Sequence, residues 1–174
     1  MGADWQAVAI IATREVAGHD RPAPVTDDWF DFLAALLASQ ARFLVIGAHA
    51  LAAHGVPRAT QDIDIWVDPT PENSARVWAA LEAFGAPAQS LGITLEDLST
   101  VNTVIQFGVP PNRIDILTGI SGVATFDEAW RDRIEQQIRN RAVPVLGRVA
   151  FIANKRASGR HKDLADIEAL GEKA

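Results

Sequence analysis

The seven residues Gln61-Asp62-Ile63-Asp64-Ile65-Trp66-Val67 constrain this chain more than any other stretch. Ile63, Ile65 and Val67 alternate with polar positions, which is the pattern of a strand with one buried face. Successive side chains of a strand point to opposite faces, so Asp62 and Asp64 share the side that the isoleucines do not. Two neighbouring carboxylates repel, and each makes the other harder to ionise unless something neutralises them. The plain reading is a strand whose second face meets water. The chemical reading is a divalent-ion site, because Mg²⁺ takes oxygen ligands and is commonly held by one or two carboxylates together with substrate phosphates. The pair alone does not choose between them.

Around this strand the chain alternates helix and strand signals. The expected fold class is therefore α/β (α+β). Trp5, Val8, Ile11 and Val16 suggest a helix over residues 4–17, and the prolines of residues 19–24 read as a linker. Residues 1–24 are thus expected to be an N-terminal helical appendage and linker, and residues 25–174 the main domain with C-terminal helices. Thr26 or Asp27 can cap a helix carrying Phe30, Leu33, Leu36 and Leu37. Phe43-Leu44-Val45-Ile46 reads as a short buried strand that stops at Gly47-Ala48, before a short Ala-rich helix over residues 49–54. Thr70 and Pro71 open a helix with Val77, Trp78, Leu81 and Phe84 inward. Residues 101–107 and 113–117 read as a hairpin. A helix is expected over residues 125–133, a short strand over 138–145 interrupted by Pro144, and a helix from Arg148 to Ser158 ended by Gly159. A last helix over residues 162–170 buries Leu164, Ile167 and Leu170.

Composition narrows the function. The chain of 174 residues has no cysteine, which excludes disulfides and thiolate metal sites. Its net charge is -6, so the chain as a whole is no polyanion binder. Yet nine Lys or Arg lie between Arg131 and Lys162 against only Asp132 and Glu135, a local excess of +7. Such a segment suits an anionic ligand, a triphosphate or an RNA backbone, or else a solvated basic face. With no signal-like start and no apolar run near the ~18 residues of a membrane helix, a soluble cytoplasmic protein with no membrane partner is expected.

Four pieces then belong together. Gly47-Ala48 lies between a strand and a helix, where small residues let a phosphate approach backbone N–H groups. Asp62 and Asp64 follow. Asp115 sits in Arg113-Ile114-Asp115-Ile116-Leu117, again an acid between apolar strand residues. The stretch from Asn154 to Asp163 carries Lys155, Arg156, Arg160 and Lys162. Asp163 and Asp166 are expected to pair with nearby bases or to cap the last helix. His49 and His54 are not at the i, i+4 spacing of a helical metal pair; His49 is a pocket or packing residue. Arg58 and Thr60 are further pocket candidates.

Gly47-Ala48, a spacer of thirteen residues, Asp62-Ile63-Asp64 and a later strand Asp resemble the nucleotidyltransferase superfamily with the polymerase-beta-like fold. Residues 43–67 and 154–170 are similar to its abortive-infection type toxin subgroup, and the likeness covers roughly residues 27–171. The pair usually reads Gly-Gly or Gly-Ser in that superfamily; Ala48 lacks the serine hydroxyl but leaves backbone donation intact. The resemblance implies a minimal nucleotidyltransferase fold, a mixed central sheet flanked by helices, and transfer of a nucleoside monophosphate from a nucleoside triphosphate to a hydroxyl. It implies Asp62, Asp64 and Asp115 as catalytic residues and ligands of two Mg²⁺ ions. Gly47, Ala48, Lys155, Arg160 and Lys162 would bind nucleotide. RNA, and tRNA in particular, is a candidate acceptor, and an antitoxin protein a candidate partner. The alternatives are a catalytically degenerate protein of this fold that binds nucleotide or a partner, and an interaction protein acting through complex formation.

Overall fold

The computed structural model describes residues 6–9 and 25–173. Within them one mixed sheet contains β1 (Gln6–Ala9), β2 (Phe43–Val45), β3 (Asp62–Val67), β4 (Thr103–Phe107), β5 (Arg113–Leu117), β6 (Ile134–Ile138) and β7 (Arg141–Val145). The strand order is β1-β4-β5-β3-β2-β7-β6, with the acidic strand β3 in the middle. It pairs parallel with β5 and antiparallel with β2. The helices are α1 (Asp27–Ala38), α2 (Gly47–Ala53), α3 (Pro71–Phe84), α4 (Leu95–Ser99), α5 (Phe126–Arg131), α6 (Arg148–Ser158) and α7 (His161–Ala169). This is the expected α/β (α+β) architecture.

The two faces of the sheet follow from alternation. Ile63 and Ile65 stand in register with Ile114 and Ile116, and these with Phe107 and Ile105; all six are buried. Phe107 meets Phe32 of α1 at 5.5 Å and Phe84 of α3 at 6.3 Å between ring centroids. Helices α1 and α3 therefore cover the apolar face. Each fully buried Ile, Leu or Phe there contributes about 1.5–3 kcal/mol, which fixes the register. A slip of one residue would drive Asp62 and Asp64 into that core. The opposite face carries the acids and, two positions on, Trp66, which is buried against Phe126 of α5; at the acids it opens into a cavity bordered by residues of the α6–α7 junction.

Local signals held well at the helix ends. Thr26 caps α1, Thr70 caps α3 with Pro71 behind it, and the left-handed Gly159 ends α6. Four expectations are corrected. The buried stripe of α1 is Trp29, Phe32, Leu33 and Leu36. Phe30 lies to the side, under the Arg139 guanidinium at 4.4 Å. The sequence carries two overlapping apolar stripes, and Trp29 wins because its indole N–H also donates to the Arg113 carbonyl at 3.2 Å. Second, the helix expected over residues 4–17 gives way at Gln6–Ala9 to a strand paired parallel with β4. Inter-strand hydrogen bonding there overrides a weak helical pattern. The remaining residues of that helix and the linker over 19–24 lie outside the described residues. Third, the single strand expected over residues 138–145 is a hairpin, turned at Arg139 with φ 54°. The sequence of β6, Ile-Glu-Gln-Gln-Ile, is exposed through its middle, so no alternation marks it. The helix before it stops at Arg131. Fourth, α7 buries Asp163, Asp166 and Ile167, with Leu164 and Leu170 only half-buried.

Candidate active site

The parallel register of β3 with β5 sets Asp64 opposite Asp115 and Asp62 opposite Arg113; across β4, Gln106 stands opposite Asp115. Adjacent strands lie about 4.8 Å apart, and paired residues share a face, so three acids separated by up to 53 positions meet on one wall. They line a cavity of about 580 Å³. Every residue expected at the site lies on it: Gly47 and Ala48 from the turn after β2, the three acids from the sheet, and Lys155, Arg160 and Lys162 from the α6–α7 junction. Arg58 and Thr60 also border it.

Gly47 is there for a steric reason. Its φ is +63°, and a Cβ on it would overlap Oδ2 of Asp64. The Ile46 N–H donates to the Asp64 carbonyl at 3.0 Å, which ties the turn to the acidic strand. Helix α2 that follows has only seven residues, so its dipole is a small contribution to anion binding. Ala48 is buried.

The three acids are not equivalent. Asp62 accepts from the Thr60 hydroxyl at 2.6 Å and pairs with Arg113 Nη2. Asp115 accepts from Gln106 Nε2 and from Arg113 Nε, each at 3.0 Å. Burial pushes the Asp115 carboxyl upward while Arg113 and Gln106 pull the other way. Asp64 lies between them with no side-chain donor among the described residues. Its pKa is pushed up to about 6, first by burial and then by the charges of Asp62 and Asp115; Lys155 and Arg113 oppose this in part. The wall carries more negative charge than its own cations balance. Hard carboxylate oxygens with such an excess suit Mg²⁺ in donor chemistry. As the side chains stand, however, no three Asp, Glu, His or Cys among the described residues are set at ion-holding spacing. The Arg113 guanidinium ties Asp62 to Asp115.

The cations of the junction form a network of their own. Lys155 is 3% exposed, and its ammonium pairs with Asp163 at 2.7 Å and Asp166 at 2.8 Å. Arg160 also bonds Asp163, at 2.6 Å, and Arg58 bonds Asp166 at 3.1 Å. Burial pushes Asp163 up, but the bonds from Arg160 and Lys155 outweigh it and hold its carboxyl below the usual range. Asp163 and Asp166 thus pair with nearby bases, as expected. Lys162 is exposed at the cavity mouth and has no acid partner among the described residues. Three of the other six cations of the basic segment pair with acids: Arg139 with Asp27, Arg148 with Glu172, and Arg133 with Glu135, the last also lying over the Trp130 ring at 4.0 Å. The local +7 is thereby reduced by acids from distant parts of the chain.

His54 bonds the Leu146 carbonyl at 2.9 Å. His49 packs edge-on against Trp29 at 5.0 Å and is not among the residues lining the cavity. Burial lowers its pKa. The residues that sequence reasoning passed over are Arg113 and Gln106. Arg113 was within reach, because it lies two positions before Asp115 and must share its face. Gln106 was not, because only the β4–β5 register places it. Comparison with protein-family models, with curated proteins and with solved structures found no match.

Proposed function

We propose that this protein is a cytoplasmic Mg²⁺-dependent nucleotidyltransferase that moves a nucleoside monophosphate from a nucleoside triphosphate to a hydroxyl. The observation that carries this reading is the meeting of Asp62, Asp64 and Asp115 on one cavity wall, with the Asp64 carboxyl pushed up to about 6 by burial first and then by the charges of the other two acids. Asp62, Asp64 and Asp115 would hold the cations, which when bound would acidify the acceptor hydroxyl and neutralise the triphosphate and departing pyrophosphate. The acceptor oxygen forms a bond to the α-phosphorus, the α–β P–O bond breaks, and pyrophosphate leaves with that electron pair. Asp115, at the wall beside Asp64, accepts the hydroxyl proton. Gly47 keeps room for Asp64 and for a phosphate beside the backbone. Lys162 at the mouth and Arg160 beside it meet anionic charge. Lys155, clamped by two acids, works mainly by holding the junction and by its field on Asp64.

The acceptor hydroxyl belongs to an RNA, a protein or a small molecule. The pairing of most basic-segment cations with acids weakens the case for an RNA backbone. A toxin role within a toxin–antitoxin pair rests on the sequence resemblance, and an adjacent small antitoxin-like gene would support it. A second reading, a degenerate nucleotide- or partner-binding protein, draws on Ala48 and on the spacing of the acids. The deciding experiment incubates the protein with each α-labelled nucleoside triphosphate, Mg²⁺ and total cell extract. Labelled product with wild type and none with Asp64→Ala is the expected result. Calorimetric nucleotide binding without any labelled product would favour the degenerate reading.

A further inference from the structure

Among the described residues, Arg113 is the cation inserted among the acids of the cavity wall. Its Nη2 pairs with Asp62 and its Nε with Asp115 at 3.0 Å, so one guanidinium bridges the two carboxylates that flank Asp64. The register fixes this placement: Arg113 lies opposite Asp62 on the neighbouring strand and two positions from Asp115 on its own. The backbone at this point is held by the Trp29 indole donating to the Arg113 carbonyl, while the side chain remains about one-third exposed at 34% and borders the cavity. A long, flexible side chain on a fixed backbone can leave one set of partners for another without disturbing the sheet.

We infer that Arg113 is an exchangeable counter-ion: it occupies the carboxylates until a divalent cation replaces it, and the released guanidinium then binds the polyphosphate of the incoming nucleotide. This deepens the nucleotidyltransferase reading and rests on it. The physical logic is charge replacement. A divalent cation and a guanidinium cannot both sit between Asp62 and Asp115, because like charges would be forced together where the acids are partly buried. The guanidinium fork matches a phosphate as well as a carboxylate, so a triphosphate supplies Arg113 with a new partner. Cation and nucleotide would then assist each other through Arg113, a coupling that is reciprocal by necessity.

The test follows Mn²⁺ binding to the metal-free protein by the electron-spin-resonance signal of free ion, in wild type, Arg113→Met, Arg113→Lys and Asp64→Asn. It also measures binding of an α,β-non-hydrolysable nucleoside triphosphate at saturating Mn²⁺. Arg113→Met should bind Mn²⁺ about tenfold more tightly and the nucleotide analogue about tenfold more weakly, within the usual span of site coupling. A purely structural role would not move the two affinities in opposite directions. Arg113→Lys, which cannot fork across two carboxylates, should bind Mn²⁺ more tightly than wild type, and it replaces Arg113→Met if that variant does not fold. If Mn²⁺ binds wild type, is lost in Asp64→Asn and is equal or weaker in the Arg113 variants, the counter-ion role is overturned and the enzyme reading stands. If neither wild type nor the Arg113 variants bind Mn²⁺, the metal-dependent reading falls and takes this inference with it.

Discussion

At the residue scale the site is built from conflicts that a stability-driven sequence would avoid. Asp64 is ionised at neutral pH against burial and two neighbouring acids, with a pKa near 6 in place of 3.8. Its raised value means that the unfolded chain loses this proton at lower pH than the folded one. The cost is absent below about 3.8, grows as pH rises to 6, and reaches roughly 3 kcal/mol at neutral pH. Asp64→Asn, measured by thermal melting in chelator, should therefore be more stable than wild type at pH 7.5 and lose that advantage towards pH 4. The same variant should have no transfer activity. A destabilised Asp64→Asn at pH 7.5 would contradict the charge account. Gly47 is the steric counterpart. In Gly47→Ala the left-handed backbone alone costs about 1–2 kcal/mol, and the new methyl displaces the Asp64 carboxylate. Both denaturant midpoint and activity should fall. Activity retained with the midpoint lowered would show that Asp64 tolerates the shift.

At the element scale, helices α6 and α7 are joined through ionised groups. Lys155 on α6 binds Asp163 and Asp166 on α7, with side-chain exposures of 4%, 0% and 7%. Removing one partner of a buried ion pair strands the other charge, so Lys155→Met should cost about 3–5 kcal/mol in urea unfolding. A loss below 1 kcal/mol would mean that Arg58 and Arg160 alone satisfy the two acids. The pH dependence has the opposite sign to that of Asp64. Asp163 is held below 3.8 in the fold, so its contribution is complete above 3.8 and disappears as pH falls through the lower folded value. Acid unfolding of wild type should steepen in that range, and Asp163→Asn should blunt it. The sequence showed Lys155, Arg160, Asp163 and Asp166 within twelve residues, which suggested pairing. It did not show that Lys155 would be buried, because only the crossing of α6 and α7 removes it from water.

At the scale of the whole molecule, charge is distributed differently from how the linear count suggests. Arg139 and Arg148 find partners 112 and 24 positions away, in Asp27 and Glu172. The basic third therefore presents a smaller positive field than its +7 implies. With an overall charge of -6, tRNA should bind at 0.15 M salt no more tightly than the ~10⁻⁴–10⁻⁶ M of non-specific association, with a shallow salt slope. A steep slope and nanomolar affinity in filter binding would restore RNA as the acceptor. Among the described residues no helix is long and apolar enough to cross a membrane.

The alternation of Ile63, Ile65 and Val67 determined, from sequence alone, that Asp62 and Asp64 would share a face. Thr70, Pro71 and Gly159 likewise set helix ends, because caps and left-handed glycines act within a few residues. Asp115, Arg113 and Gln106 joined the acids only through the parallel pairing of β3 with β5 and the antiparallel pairing of β5 with β4. Strand register is a long-range choice, made by the burial of Ile114, Ile116 and Phe107 against α1 and α3. No local rule contains that choice, and the chemistry of the wall depends on it.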